Sequence, residues 1–201
     1  TQTRLLSNET TKISGLNDAT VMMHYNIFSN HLDTLPHQFY HNLLIGGGLK
    51  LPLGKFDYDE NSTSEVANPN FQLGSGTLDF ILSSLYTVRK NNWGLSAELG
   101  YKINQTNKNG YRFANRLTNS LILFRTTHAG SFTFMPNVGL FSEMAKQDIR
   151  NGERNSFTGG IMSNASAGVE AYYKKTAVGF SYQKPVYQTV ADRELLLKKQ
   201  F

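Results

Sequence analysis

A strict two-residue alternation of large apolar with small or polar side chains, repeated in stretch after stretch, constrains this chain more than any other feature. Successive side chains of a strand point to opposite faces, so this period indicates β-structure. One stretch places Trp93, Leu95, Ala97, Leu99, Tyr101 and Ile103 on one face and Ser96, Glu98, Gly100, Lys102 and Asn104 on the other. Long, numerous strands with charges opposite the apolar face favour a membrane barrel over a soluble sandwich.

The composition excludes several classes of protein. Hydrophobic residues make up 39% of the 201 residues and the mean hydropathy is −0.38, which is too polar for a bundle of membrane-spanning helices. The absence of cysteine excludes disulfides and thiolate metal sites. The net charge of +5 comes from scattered Lys and Arg, so no nucleic-acid partner is predicted.

Turn-rich segments divide the chain into eight predicted strands, and strand signals continue at both ends. The eight strands are expected near residues 19–29, 38–50, 73–89, 92–104, 111–125, 131–145, 159–173 and 176–187. We expect a ninth strand from Glu194 to Phe201, and Arg4 to Ser7 look like the end of another. Single-chain bacterial barrels have even strand numbers, so we expect about 8 to 10 strands here and up to about 12 in the intact protein.

The domain organisation follows from this strand pattern. Residues 1–201 are expected to form one barrel domain that lacks one or both ends of the full chain. No basic, apolar leader precedes the first strands, so we expect any export signal to lie outside the sequence.

The predicted connections alternate in length along the chain. Short links occur at Lys90-Asn91, 127–130 and Lys174-Lys175, and long ones at 51–72, 105–110, 146–158 and 188–193. Outer-membrane barrels have short periplasmic turns and longer outer loops. The sequence therefore predicts an all-β fold, a transmembrane antiparallel up-and-down β-barrel, in a bacterial cell outer membrane with the lipid bilayer as its partner.

The alternation also assigns the two faces of the predicted strands. The apolar face, which includes Leu82, Val138 and Phe180, should meet lipid, because Arg or Lys there costs about 2–4 kcal/mol near the bilayer midplane. The opposite phase should line the lumen or a substrate path, at Lys50, Asp79, Glu98, Lys102, Arg116, Glu143, Glu170 and Gln183. A polar network that plugs a narrow barrel is the preferred interpretation of this set, and a selectivity constriction is the alternative.

Local irregularities mark a few positions. In the fifth predicted strand Leu117, Leu121 and Leu123 share a phase with Asn115 and Asn119, which indicates a bulge, a different register, or contact with another outer-membrane protein.

Two further features concern the strand wall and its rim. Pro136 has no backbone N–H to donate to a neighbouring strand. A lateral opening between strands is predicted only at Pro136 or at Gly46-Gly47-Gly48. A girdle of aromatic residues at strand ends is predicted at Tyr25, Phe39, Trp93, Tyr101, Phe132, Tyr173 and Tyr182.

Four short motifs, three of them containing glycine, occur along the chain. They are Gly15-Leu16-Asn17-Asp18, Gly47-Gly48-Leu49-Lys50-Leu51-Pro52-Leu53-Gly54-Lys55, Leu73-Gly74-Ser75-Gly76 and Pro185-Val186-Tyr187-Gln188. These residues resemble the outer-membrane transporter family named after the meta-pathway of phenol degradation, which is related in kind to FadL-like channels. The resemblance covers residues 15–188 and departs at Asn17, where the family usually has Gly, and at Leu53, where it has Thr. It implies uptake of small, often aromatic or apolar compounds.

Two other kinds of site have weaker signals. The segment with Asp57, Asp59, Glu60, Asn61 and Glu65 begins like a calcium loop. However, Ser62 stands where such a loop needs glycine and Asn68 where it needs a bidentate Glu, so a solvated loop without metal or other cofactor is preferred.

Catalysis is not expected. The five histidines are His24, His31, His37, His41 and His128. None of them lies in a recognisable nucleophile motif.

Two functions remain from the sequence. The first is a channel or transporter for small, hydrophobic or aromatic molecules. The alternative is a non-transporting accessory or scaffold barrel in a larger outer-membrane complex, with its partner proteins at the fifth strand.

Overall fold

A computed structural model describes residues 2–6, 9–30, 38–57, 69 and 72–190 of the chain, and it is all-β. The strands are β1 (Gln2–Leu6), β2 (Glu9–Ile13), β3 (Ala19–Ser29), β4 (Tyr40–Leu51), β5 (Asp79–Lys90), β6 (Trp93–Ile103), β7 (Tyr111–Arg112), β8 (Arg116–Arg125), β9 (Thr127–Ala129), β10 (Phe132–Ala145), β11 (Ile149–Arg150), β12 (Glu153–Arg154), β13 (Gly160–Tyr173) and β14 (Thr176–Val190). In the described part of the chain, no helix is long and apolar enough to cross a bilayer.

The main sheet is antiparallel and follows chain order, as the alternating sequence predicts. Its strands run β14-β13-β10-β8-β6-β5-β4-β3, with β9 paired to β10. Strands β3 and β14 form the two edges, and no pairing joins them among the described residues. The antiparallel up-and-down sheet is therefore confirmed, and its closure into a barrel stays a prediction.

The connections are sorted by the two ends of this sheet. At one end, here called the short-turn end, two-residue links join β5 to β6 and β13 to β14, and Asn91 (φ 52°) and Lys174 (φ 51°) adopt the left-handed conformation of tight turns. At the other end, the long-loop end, residues 52–78, 104–115 and 146–159 separate consecutive long strands. The long loops carry the small antiparallel sheet β12-β11-β7.

Two predicted strands differ from the observed ones. The strand expected from residue 73 begins at Asp79, because residues 73–78 form a loop in which Gly76 has φ +70° and Thr77 is buried. The strand expected over 111–125 is divided, because Tyr111–Arg112 pair with β11 and β8 begins only at Arg116.

The division of the fifth predicted strand explains part of its irregular phase. Asn115 lies outside β8, where its Oδ1 accepts a hydrogen bond from the Asn104 amide at 3.0 Å. From Arg116 onward β8 pairs with both neighbours in one continuous register. Of the three alternatives for this strand, the bulge is wrong for β8, and Asn119 lies on the same face as Leu117 and Leu121.

Strand pairing is continuous, or nearly so, at the two places where a lateral opening was predicted. Residues 46–48 pair with β3 on one side and β5 on the other, so the described structure has no gap at these glycines. At Pro136 the pairing of β10 with the β8–β9 side is interrupted, and it resumes in the same register at Phe134 and Thr127. The missing Pro N–H explains this local interruption.

Bulges occur elsewhere. The β3–β4 register shifts between Asn26 and Phe28, and the β13–β14 register shifts at Ser163/Asn164. The predicted segments at the chain ends are only partly described: β1 pairs with β2 as a separate hairpin, whereas Ser7 and residues 194–201 lie outside the described residues.

The two faces of the sheet carry side chains of opposite chemistry. The apolar face exposes large side chains, with Leu140 56% and Phe180 72% exposed. The buried aromatic cluster lies instead in the long loops, where Phe56, Tyr111 and Phe113 pack with ring centroids 5.0–6.2 Å apart.

Candidate functional site

All eight residues predicted to line the interior share the polar face of the main sheet. Cross-strand partners point to the same side, and the register pairs Lys50 with Asp79 and Lys102 with Arg116. The other four, Glu98, Glu143, Glu170 and Gln183, fall in the same phase of their strands. The structure thus places them on one face but at different heights.

Three of the least exposed charged side chains form a cluster at the long-loop end. The Lys50 Nζ lies 2.6 Å from Asp79 Oδ2 and 3.0 Å from Asp18 Oδ2. The side chains of Lys50, Asp79 and Asp18 are only 11%, 0% and 8% exposed. Lys50 also donates to Ser75 Oγ, and Asp79 accepts hydrogen bonds from Thr77 Oγ1 at 2.7 Å and the Gln105 amide at 3.0 Å. Desolvated charges of this kind persist because each one is paired and hydrogen-bonded.

Asp18 joins this cluster to the neighbouring loops. Its Oδ1 accepts the Gly54 amide at 3.0 Å and its Oδ2 accepts the Ser75 amide at 2.8 Å. Burial raises the pKa of Asp18, but the two backbone hydrogen bonds and the contact with Lys50 outweigh burial and hold the pKa below its ordinary value. Asp18 is therefore a carboxylate at neutral pH. Asp18 is the last residue of the motif Gly15-Leu16-Asn17-Asp18, and the sequence alone predicts no role for it.

Two glycines allow these loops to approach closely. A Cβ at Gly74 would lie 2.4 Å from the Gly54 carbonyl oxygen, and a Cβ at Gly54 would lie 2.6 Å from the Leu73 carbonyl oxygen. Any side chain at either position would separate the loops. The three short motifs near residues 15, 50 and 75 thus meet at one place, and their glycines and charges are explained by that junction.

The remaining predicted residues lie apart from the buried cluster. Arg116 Nη1 and Glu143 Oε1 form a partly exposed ion pair at 3.0 Å. Glu170 accepts a hydrogen bond from Tyr172 near the short-turn end. Glu98 and Gln183 lie on the polar face between these ends.

A second buried junction lies in the long loops and has no equivalent among the predicted residues. The Tyr111 hydroxyl donates to Asp148 Oδ2 at 2.5 Å, and the Ala114 amide donates to Asp148 Oδ1 at 2.7 Å. Tyr111 is 1% exposed and Asp148 is 6% exposed. The buried Asn107 holds the same turn, because its Oδ1 accepts the Tyr111 amide at 3.0 Å. The sequence carries no local signal of this contact, because 37 residues separate Tyr111 from Asp148.

The histidine candidates make isolated hydrogen bonds. His24 Nε2 lies 2.8 Å from Ser83 Oγ. The two residues are on β3 and β5, with Gly46 of β4 between them, so the sequence does not indicate this contact. His41 and His128 contact Tyr86 and Thr133. The strand amides around Ser83 are used in the ladder, so they cannot form an oxyanion hole beside it.

The histidines at 31 and 37 lie outside the described residues, as do Asp59, Glu60, Asn61, Ser62, Glu65 and Asn68 of the candidate calcium loop. Within the described part of the chain, no group of three or more His, Cys, Asp or Glu side chains could hold a metal ion.

Four of the seven aromatic residues predicted to form a girdle lie at the short-turn end, namely Phe39, Trp93, Phe132 and Tyr173, whereas Tyr101 lies near the long-loop end. The Phe132 and Tyr173 ring centroids are 4.9 Å apart, and the Arg125 guanidinium lies 5.5 Å from the Trp93 ring centroid. Tyr25 and Tyr182 pair instead with residues in the middle of neighbouring strands.

Comparison with known proteins gives one match. The family model described as "Putative MetA-pathway of phenol degradation" matches residues 1–194. This confirms the resemblance drawn from the short motifs, while a kinship with FadL-like channels stays a prediction. No curated protein and no solved structure matches the chain.

Proposed function

The chain belongs to the family of the MetA pathway of phenol degradation, and on that premise we propose that it is an outer-membrane β-barrel channel or transporter for small apolar or aromatic molecules. The observation that carries the proposal is the reversed polarity of the sheet, with apolar side chains outward and charges on the opposite face. Such an outward face needs lipid, because water-soluble monomers rarely expose apolar patches larger than a few hundred Å².

The dimensions of the sheet support a membrane location. Strands β8 and β14 have 10 and 15 residues, and a tilted membrane strand needs about 9–11. Transfer of each large outward side chain from water to lipid contributes about 1.5–3 kcal/mol. The aromatic residues at the short-turn end, with the Arg125 guanidinium over Trp93, fit the headgroup level of a bilayer.

The polar face supports passage of a small aromatic solute. It is not uniformly polar, since Phe124, Met135 and Phe141 occupy the same phase as Gln183. Aromatic and thioether groups can contact an apolar ring, while Gln, Asn and Ser side chains can satisfy a hydroxyl group. This mixture suits a compound of the phenol class that the family description names.

A flux assay tests the proposal with a matched pair of variants. The full chain is reconstituted into phospholipid vesicles and phenol entry is compared with entry of a polar sugar. Ser166 lies on the polar face of β13 and Ala167 on its apolar face. We expect Ser166→Trp to lower phenol flux at least fivefold and Ala167→Trp to leave it unchanged.

Two results of the flux assay would refute the transport proposal. Wild-type flux equal to that of empty vesicles would refute it, as would equal effects of the two Trp substitutions. Fractionation of cell membranes tests the location independently, because recovery of the protein in the soluble fraction would refute the membrane proposal.

The accessory-barrel alternative is supported by two observations. The Asp18–Lys50–Asp79 cluster and its loops cover part of the polar face at the long-loop end. In addition, Asn119, Ser142 and Ser163 form a polar row across the apolar face, where a protein neighbour could contact them. Absence of flux together with co-purification of a partner that Asn119→Leu abolishes would favour this function.

A further inference from the structure

A cleft on the apolar side of the sheet lies beneath the small sheet of the long loops. Its volume is about 800 Å³. Its floor is a single cross-strand row formed by Tyr101, Leu117, Met144 and Ile161, four outward side chains on four neighbouring strands. On β8, β10 and β13 this row is the last apolar level before the long loops begin.

The other wall of the cleft carries positive charge. The pairing of β7, β11 and β12 places Arg112, Ile149 and Arg154 in one row on one face of the small sheet. Lys146 adds a third cation directly after β10. No carboxylate lines the cleft among the described residues, and the structure gives these three cations no ion pair within the described part of the chain.

The two walls match the two parts of a membrane lipid. An acyl chain is complementary to the apolar row, and a phosphate is complementary to guanidinium and ammonium donors. The cations lie on the loop side of the apolar row, which is where the headgroup level falls if the outward face is in lipid. The apolar row and the cations therefore follow one another in the same order as the acyl chain and the phosphate of a lipid in that leaflet.

We propose that this cleft binds a membrane lipid whose phosphate-bearing headgroup carries a net negative charge, in the leaflet that faces the long loops. Arg112, Lys146 and Arg154 contact the phosphate, and the row from Tyr101 to Ile161 contacts the acyl chain. The inference rests on the proposed membrane location of the sheet. It does not depend on whether the protein transports a solute.

The expected loss of lipid affinity follows from the three cations in the cleft. A Lys or Arg near an anionic lipid surface changes affinity about fivefold, so removal of all three should weaken binding roughly 100-fold. The variant Arg112→Gln/Lys146→Gln/Arg154→Gln makes this change. Its matched control, Lys90→Gln/Lys174→Gln/Lys175→Gln, removes the same charge at the short-turn end and should stay within about threefold of the wild type.

The experiment measures lipid retention by the purified full chain in a neutral detergent. Diphosphoryl lipid A is titrated in and bound lipid is counted by native mass spectrometry, with phosphatidylcholine and inorganic phosphate as separate probes. We expect tight retention of lipid A by the wild type and the control, and loss in the cleft variant. The variant Arg112→Lys/Arg154→Lys, which keeps the charges, should retain most of the affinity and shows that the cleft still folds.

Several outcomes would overturn the proposal. Equal lipid A affinity in the cleft variant and the control would show that the three cations do not bind the headgroup. Equal retention of phosphatidylcholine would leave only a nonspecific apolar surface, and displacement of lipid A by millimolar inorganic phosphate would assign the cations to a free anion. Because the assay uses detergent, lost flux in vesicles would refute transport without affecting this result.

Discussion

Replacement of Asp18 by asparagine tests whether the buried charge cluster stabilises the fold. The carboxylate accepts hydrogen bonds from Lys50 Nζ and from the amides of Gly54 and Ser75, while its side chain is 8% exposed. Asparagine keeps one acceptor oxygen but places an NH₂ group opposite donors. Breaking a buried pair on one side costs about 3–5 kcal/mol, so we expect a loss of this size in the free energy of unfolding.

The assay is urea unfolding of the protein refolded into lipid vesicles, followed by fluorescence of Trp93, the single tryptophan. Asp57→Asn is the matched control, because Asp57 is an exposed loop residue. The control should change the free energy of unfolding by less than about 0.5 kcal/mol. If Asp18→Asn differs from Asp57→Asn by less than about 1 kcal/mol, the inferred strength of the cluster is refuted.

The same comparison has a predictable pH dependence. The folded pKa of Asp18 lies below its ordinary value, so its contribution to stability is fully present above the unfolded pKa, which is about 4. It is lost as the pH falls from there through the folded pKa. The stability difference between wild type and Asp18→Asn should therefore be constant from neutral pH to about pH 5 and shrink below about pH 4. A difference that grows on acidification would contradict the assignment.

Three further predictions concern the sheet and the loops. Gly94→Ala should lower the free energy of unfolding by about 1–3 kcal/mol, because the new Cβ would lie 2.1 Å from the Phe124 ring. Adding Phe124→Leu to this variant should recover part of the lost free energy of unfolding in urea, and no recovery would argue against the clash. Tyr111→Phe should cost about 1–3 kcal/mol in the same measurement, since it leaves a buried Asp148 oxygen without its donor, and an unchanged midpoint would refute that role. Cysteine pairs scanned along β3 and β14 should form disulfides in vesicles if the eight-strand path closes on itself, and the absence of any cross-link would mean that closure needs further strands.

The sequence identified the repeating part of the fold because a strand's side-chain direction depends only on position along the chain. Lys50, Glu98 and Gln183 lie in different strands, yet each falls on the predicted polar face, since antiparallel pairing between chain neighbours preserves the phase. The alternation also located the turns near Asn91 and Lys174, but Thr127–Ala129, which it placed in a short link, form β9. It misplaced the start of β5, because the residues before Asp79 alternate like a strand but donate their hydrogen bonds to side chains of the junction.

Tertiary structure alone decided what the long loops do. Tyr111 continues the apparent fifth strand in sequence but pairs with Arg150, 39 residues further on, and such a partner leaves no local signal. Likewise Asp18, Lys50 and Ser75 are far apart in the chain and become a single cluster only when three loops meet. Local periodicity determined which side each strand residue faces, whereas contacts between distant loops, formed by burial and hydrogen bonding of charged groups, determined how the end of the sheet is built.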